Sequence, residues 1–213
     1  MDSEAQTAAY AAADFNESNT LFTKYFTGRF PDLPESGRMI DLGCGPGDIV
    51  IRMARAFPDW HITGLDAGAN MLSCAEQRLA AEGNCHNVAF RHSYLPDDTL
   101  EANAWQALIS NSLLHHLPDP LVLWQSIGQL AAPGAAIQVM DLFRPESEGD
   151  AIHLVDHYSG GEPEVLQEDF YNSLLAAYTV DEIAAQLTQA GLLGLKVAMA
   201  SDRHWMVSGH YPT

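Results

Sequence analysis

Apolar and polar positions along this chain follow two rhythms, and the switches between them mark its elements. Residues 1–37 are polar to mixed and read as helical, up to the breaker Phe30-Pro31-Asp32-Leu33-Pro34. Met39–Leu42 is a short apolar run leading into glycines, which suits a buried strand. Asp48–Phe57 then reads as a helix stopped by Pro58, and His61–Leu65 as a second strand ending at Asp66. Asn70–Glu82 has helical spacing and stops at Gly83. Val88–Arg91 and Ala107–Asn111 are the third and fourth strands. Asp119-Pro120 offers an N-cap and a proline at the first helical position, opening the helix Leu121–Leu130. Pro133-Gly134 closes that unit, and Ala135–Leu142 is the fifth strand.

Strand-and-helix units repeated five times predict a parallel sheet with helices on both faces. The tail departs from this. Ala151–Tyr178 reads as one long helical insertion rich in His, Asp and Tyr. Thr179 with Glu182 forms a capping box that starts a further helix, ended by Gly191. Leu195–Met199 and Trp205–His210 lie too close in sequence for a crossover, so they predict an antiparallel pair turning near Asp202. The expected fold class is therefore α/β: a doubly wound sheet of about seven strands, mostly parallel, ending in an antiparallel hairpin. No composition break marks a second domain, so residues 1–213 are read as one domain.

Charge narrows the function. Lys and Arg total 10 against 28 Asp and Glu, a net charge of −18. Such a chain repels phosphate backbones, so no nucleic acid partner is expected. Cys44, Cys74 and Cys85 are too few and too irregularly spaced for a disulfide framework. The start, MDSEAQTAAY, has no basic and then apolar leader, and no run of about 18 apolar residues exists to span a membrane. A cytoplasmic protein without a membrane partner is expected, as a monomer or homodimer.

The candidate chemistry starts in Met39-Ile40-Asp41-Leu42-Gly43-Cys44-Gly45-Pro46-Gly47-Asp48. A strand turning at once into a helix needs residues free to take positive φ, and three glycines supply them. The helix N-terminus then offers free N–H groups to an anion. A dinucleotide fingerprint would place a small residue where Asp48 stands. A P-loop would need a lysine, and the loop has none. A carboxylate on a molecule that also carries positive charge fits better than a pyrophosphate. Asp66, roughly 20 residues further on, stands where an acid receives ribose hydroxyls.

Three segments together carry a resemblance: Asp41-Leu42-Gly43-Cys44-Gly45-Pro46-Gly47, Gly64-Leu65-Asp66 with Asn70-Met71-Leu72, and Asn111-Ser112-Leu113-Leu114-His115-His116-Leu117-Pro118-Asp119-Pro120. From about Tyr10 to His210 the chain resembles the class I, Rossmann-like S-adenosylmethionine-dependent methyltransferases. The resemblance implies S-adenosyl-L-methionine as cofactor, S-adenosyl-L-homocysteine as product, and a small-molecule methyl acceptor. It implies that Asp41, Gly43 and Gly45, with Cys44 beside them, hold the methionine part. Asp66 would hold the ribose with Ala67 beside it in the cofactor site, Met71 would pack on adenine, and Asn111 would line the reacting methyl. Ser93 and Tyr94 stand where the family often has an acid and a small residue against adenine, so Ser93 departs from the pattern. Tyr10 resembles a lid tyrosine, making residues 1–37 an N-terminal helical lid and residues 146–178 the acceptor-site insertion.

Methyl transfer from a sulfonium needs chiefly that nucleophile, carbon and sulfur be held in line. A base is required only where the acceptor must lose a proton. His116, Asp141 and His157 are the candidate catalytic residues, with His115 and His153 as further histidines near the strand ends. His153 and His157 share a helical face, but a third ligand is missing, so no metal is assigned. Aromatic and carboxylate residues in 162–172 suit a small polar or cationic acceptor. The two prolines of the amide- and base-methylating motif are absent after the fourth strand. The remaining alternatives are a non-catalytic adenosylmethionine or adenosylhomocysteine binder, a protein methyltransferase and a nicotinamide-dependent oxidoreductase.

Overall fold

A computed structural model describes Thr7, Tyr10, Ala13 and residues 15–83 and 85–212. The elements run α1 (Asn16–Arg29), β1 (Arg38–Leu42), α2 (Asp48–Ala56), β2 (His61–Asp66), α3 (Ala69–Glu82), β3 (Val88–His92) and β4 (Trp105–Asn111). After a 3₁₀ turn at Leu114–His116 come α4 (Leu121–Leu130), β5 (Ala131–Leu142), α5 (Glu148–Ser159), α6 (Glu164–Ala176), α7 (Val180–Gln189), β6 (Lys196–Met199) and β7 (His204–His210).

The strands form one sheet in the order β3-β2-β1-β4-β5-β7-β6. The five N-terminal strands pair in parallel, and β7 is antiparallel to both β5 and β6. The expected doubly wound sheet with a terminal hairpin is what forms. Alternate strand residues feed two cores, one on each face. Ile40, Leu42, Leu108, Ile137 and Val139 pack with Trp124 and Ile127 of α4 and Leu187 of α7. Met39, Ala107, Ile109, Ala136 and Met140 pack with Phe22 and Phe26 of α1 and Met53 of α2. A third cluster joins Leu142 to Ala151 and Val155 of α5 and Leu174 of α6. The chain turns to opposite sides of the sheet after β1 and after β4, so a crevice opens between the C-terminal ends of these two strands.

Four expectations are corrected. No helix links β3 to β4. Pro133-Gly134 does not precede the fifth strand but sits within it. Trp105 pairs with Ala131 and Ala107 with Ala136, so the extra β5 residues bulge outward around Gly134 at φ 78°. The insertion is two helices, because Gly160-Gly161 and Pro163 break it; a Cβ on Gly160 would lie 2.4 Å from the Asp156 carbonyl oxygen. Asp119 is not the residue next to the first helical turn. Pro120 is, and the Asp119 Oδ1 accepts from the Leu121 N–H at 2.9 Å. The capping box forms as expected: Thr179 Oγ1 accepts from the Glu182 N–H at 3.3 Å, and Glu182 Oε2 from the Thr179 N–H at 2.8 Å. No helix among the described residues is long and apolar enough to cross a membrane.

Candidate active site

The loop after β1 is built by three left-handed glycines, Gly43, Gly45 and Gly47, at φ 75°, 51° and 80°. A Cβ on Gly43 would stand 2.7 Å from Leu113 Cδ1, and one on Gly47 2.9 Å from Ala75 Cβ. Around Gly45 a Cβ would meet no described atom within 4 Å; it would project into open space. The Gly45 N–H donates to Asp66 Oδ2 at 2.8 Å, and the Gly68 N–H donates to Asp66 Oδ1 at 2.7 Å. Each Asp66 oxygen is thereby oriented and retains a lone pair for a further donor.

Beneath the loop, Asp41 is 1% exposed. Burial, and after it the nearby Asp66, push its carboxyl up to about 8. Its Oδ1 is buried without a hydrogen-bond partner among the described residues, and so is Oδ1 of Asn111 at the end of β4. Two such acceptors on adjacent strands, at the mouth of the crevice, call for a ligand rich in N–H donors. A pyrophosphate, which only accepts, would leave Asn111 Oδ1 unsatisfied. Ser112, directly after Asn111, takes φ 58°, a strained conformation for a residue with a side chain.

α1 closes one side. Asn19 Nδ2 donates to Asp48 Oδ1 at 2.8 Å, and Arg52 grips the same oxygen at 2.5 Å. Arg52 also reaches Thr20 Oγ1 and Asn16 Oδ1. Asp48 is therefore no bare charge facing a ligand; Arg52 compensates it, and it pins α1 to α2. The case against a dinucleotide rests instead on Asp41 and Asn111. Tyr10 lines the same space, and burial, then Asp141, Asp66 and Asp48, push its phenol up to about 12.

All of this opens on one cavity of about 940 Å³. Tyr10, Asp41, Gly43, Cys44, Gly45, Asp66, Ala67, Met71, Tyr94 and Asn111 all line it. Ser93 does not. Its hydroxyl is turned to Asp97 Oδ2 at 2.7 Å, where Thr99, and then Ser93 itself, hold the Asp97 carboxyl down to about 2. The far end of the cavity is bounded by α5, α6 and the start of β7: Tyr158, Leu166, Asp169, Phe170, Arg203 and His204. Asp169 Oδ2 is buried there without a hydrogen-bond partner among the described residues.

The three candidate catalytic residues separate. His116 lines the cavity with much of its surface open to solvent; the protein packed against its ring, then the neighbouring His115, push its imidazole down to about 4. Asp141 lies behind the lining, 1% exposed, its Oδ1 accepting from His115 Nδ1 at 2.5 Å. His157 points away: it is on the exposed face of α5, its ring stacked with His153 at 6.4 Å. Among the described residues no three His, Cys, Asp or Glu side chains are grouped to hold a metal ion. The inward-turned histidine is His115, with 4% of its side chain exposed. The sequence pair His115-His116 does not say which ring turns inward; Asp141, on another strand, decides it.

Residues 40–137 match a family described as a methyltransferase domain. With that match on the strand order seen here, the chain is similar to methyltransferases in sequence over these residues and carries the Rossmann-like methyltransferase fold. It is 31% identical over 172 residues to a trans-aconitate 2-methyltransferase of Streptomyces coelicolor, covering 76% of this chain and 54% of that one. It is 25% identical over 182 residues to the 27-O-demethylrifamycin SV methyltransferase of Amycolatopsis mediterranei, covering 85% of this chain and 62% of that one. The match thus spans about half to three fifths of these curated relatives. In fold it is similar to a SAM-dependent methyltransferase from Aquifex aeolicus, with TM-score 0.72 at 15% identity over 99% of this chain and 100% of that one.

Proposed function

We propose that this class I domain binds S-adenosylmethionine at the β1–β4 crevice and transfers its methyl group to a small-molecule acceptor. The observation that carries the reading is the pair of partnerless buried acceptors, Asp41 Oδ1 and Asn111 Oδ1, beside the oriented carboxylate of Asp66. An α-ammonium group would satisfy Asp41 and Asn111. Ribose hydroxyls would fill the free lone pairs of Asp66, and Met71, 5% exposed on α3, offers an apolar surface for adenine. The bound group would supply an electrophilic methyl on a positively charged sulfur. The protein's part is to align the acceptor with it and exclude water.

The far end of the cavity suits a small acceptor. It is apolar along Leu166 and Phe170 and carries single polar groups, as small-molecule sites do. The similarity to methyltransferases named for trans-aconitate and demethylrifamycin supports the same class. Calorimetry with S-adenosylhomocysteine tests the reading. Saturable one-site binding is expected, and no heat of binding for either it or S-adenosylmethionine overturns the cofactor.

A further inference from the structure

We propose that Arg203 and His204 hold a carboxylate of the methyl acceptor while Asp169 takes a hydroxyl or amine of the same molecule, so that the acceptor is a small hydroxy or amino acid. The inference rests on the proposed methyltransferase reading and names the acceptor class of that same site. His204 begins β7, 5% exposed, and lines the cavity. Ser201 sets its tautomer. The Ser201 Oγ accepts from the Arg203 N–H at 3.3 Å and from the His204 N–H at 3.1 Å, which occupies both of its lone pairs. Its own proton therefore goes to His204 Nδ1, 2.9 Å away. A neutral ring that accepts at Nδ1 carries its hydrogen on Nε2, and that N–H has no partner among the described residues. Burial, and after it Arg203, push this imidazole down to about 4, so it stays a neutral, fixed donor at physiological pH.

Arg203, the residue before it, has 13% of its side chain exposed and lines the same cavity. Its guanidinium lies 3.4 Å from the centroid of the Tyr158 ring, and Nη1 donates to Asp202 Oδ1 at 3.2 Å. Tyr158 is held in turn by Asp202 Oδ2, which accepts its hydroxyl at 2.5 Å. The edge formed by Nε and Nη2 has no hydrogen-bond partner among the described residues. Two parallel N–H groups on a planar cation match a carboxylate, and His204 Nε2–H adds a third donor from the next residue. Asp169 asks for the opposite. Its Oδ2 is buried in the α6 wall without a partner among the described residues, and such an oxygen takes a donor. The β5–β7 ladder sets His204 opposite Leu142, and Phe170, the neighbour of Asp169, packs on the cluster that holds Leu142. The three groups therefore border one end of the cavity. A purely cationic acceptor would face the fixed charge of Arg203, and a purely anionic one would leave Asp169 unsatisfied. A molecule with a carboxylate and a separate donor satisfies all three.

The test uses the intact protein saturated with S-adenosylhomocysteine and reads affinity by NMR titration for four matched probes. 4-Hydroxyphenylacetate has the carboxylate and the donor, its amide lacks the charge, phenylacetate lacks the donor, and tyramine carries an ammonium instead. 4-Hydroxyphenylacetate is expected to bind roughly tenfold or more tighter than each of the others, because each of those leaves a group of the site unpaired. Arg203→Gln should erase the preference over the amide, and Asp169→Leu the preference over phenylacetate, while both keep their affinity for S-adenosylhomocysteine. A merely structural role would not move these preferences one at a time. His204→Phe should weaken 4-hydroxyphenylacetate several-fold, and His204→Gln, which still offers an N–H, should restore most of it. Nitrogen-15 histidine spectra of wild type should show His204 neutral and protonated on Nε2. Any of the three other probes bound as tightly as 4-hydroxyphenylacetate, preferences unchanged in Arg203→Gln and Asp169→Leu, an Nδ1-protonated His204, or wild type that binds adenosylhomocysteine and none of the probes overturns the inference. Wild type that fails to bind adenosylhomocysteine overturns the cofactor reading, and the acceptor class with it.

Discussion

Gly45 donates its backbone N–H to Asp66 Oδ2 at 2.8 Å, which makes the glycine loop after β1 and the acid ending β2 a single unit. Asp66→Ala should therefore weaken S-adenosylhomocysteine by more than the ribose bonds alone, because the loop also loses its tether. Bonds to a charged acceptor are worth about 1.5–3 kcal/mol each, so a fall of at least tenfold in affinity is expected by calorimetry. Unchanged affinity would place the ribose elsewhere.

Gly45 itself gives a second expectation. Its φ of 51° costs a side chain roughly 1–2 kcal/mol, and a Cβ there projects into the cavity. Gly45→Val should lower Tm slightly and abolish cofactor binding. Gly83, equally left-handed at φ 69° but at the end of α3, is the control. Gly83→Ala should lower Tm and leave binding intact.

Asp41 predicts a linked pH effect. Its carboxyl ordinarily titrates at 3.8 and here at about 8, so the unfolded chain loses this proton first as pH rises. The contribution to stability is full below 3.8, falls across the interval up to about 8, and is flat above it. Asp41→Asn should remove that loss and raise the Tm of the ligand-free protein at pH 7, while weakening adenosylhomocysteine. A cation docked on Asp41 would ionise it. Binding at pH 7 should then release close to one proton, read from the dependence of the calorimetric heat on buffer ionisation enthalpy. A heat independent of buffer would remove Asp41 from the site.

The α1 clamp predicts a kinetic effect. Arg52 and Asn19 share Asp48 Oδ1, so Arg52→Ala should loosen α1 while leaving the loop in place. KM for S-adenosylmethionine is expected to rise several-fold with a small change in Tm. Equal KM values in variant and wild type would show that α1 does not cover the cofactor.

The sheet was largely legible because its strands are short apolar runs set between glycines and acids, and its helices keep their period. Two signals present in the chain were outweighed. Gly160-Gly161 with Pro163 marks the break between α5 and α6, yet the surrounding residues read as continuous helix. Pro133-Gly134 reads as a stop, but a strand can absorb both by bulging where its neighbour is three residues shorter. Site residues on the glycine loop follow from backbone requirements local to the sequence, so they could be read directly. His115, Ser93 and His157 could not. The direction of each ring or hydroxyl depends on a partner or an element that sequence spacing does not place: Asp141, Asp97 and the outer face of α5.

The third hydrophobic cluster carries one more consequence. α5 and α6 bury Ala151, Val155 and Leu174 against Leu142 and one another, apart from the two cores that hold the sheet. On the proposed reading, the wall facing the acceptor is packed apart from the sheet cores, so exchanging residues 146–178 is expected to change what is methylated while affinity for the methyl donor is kept.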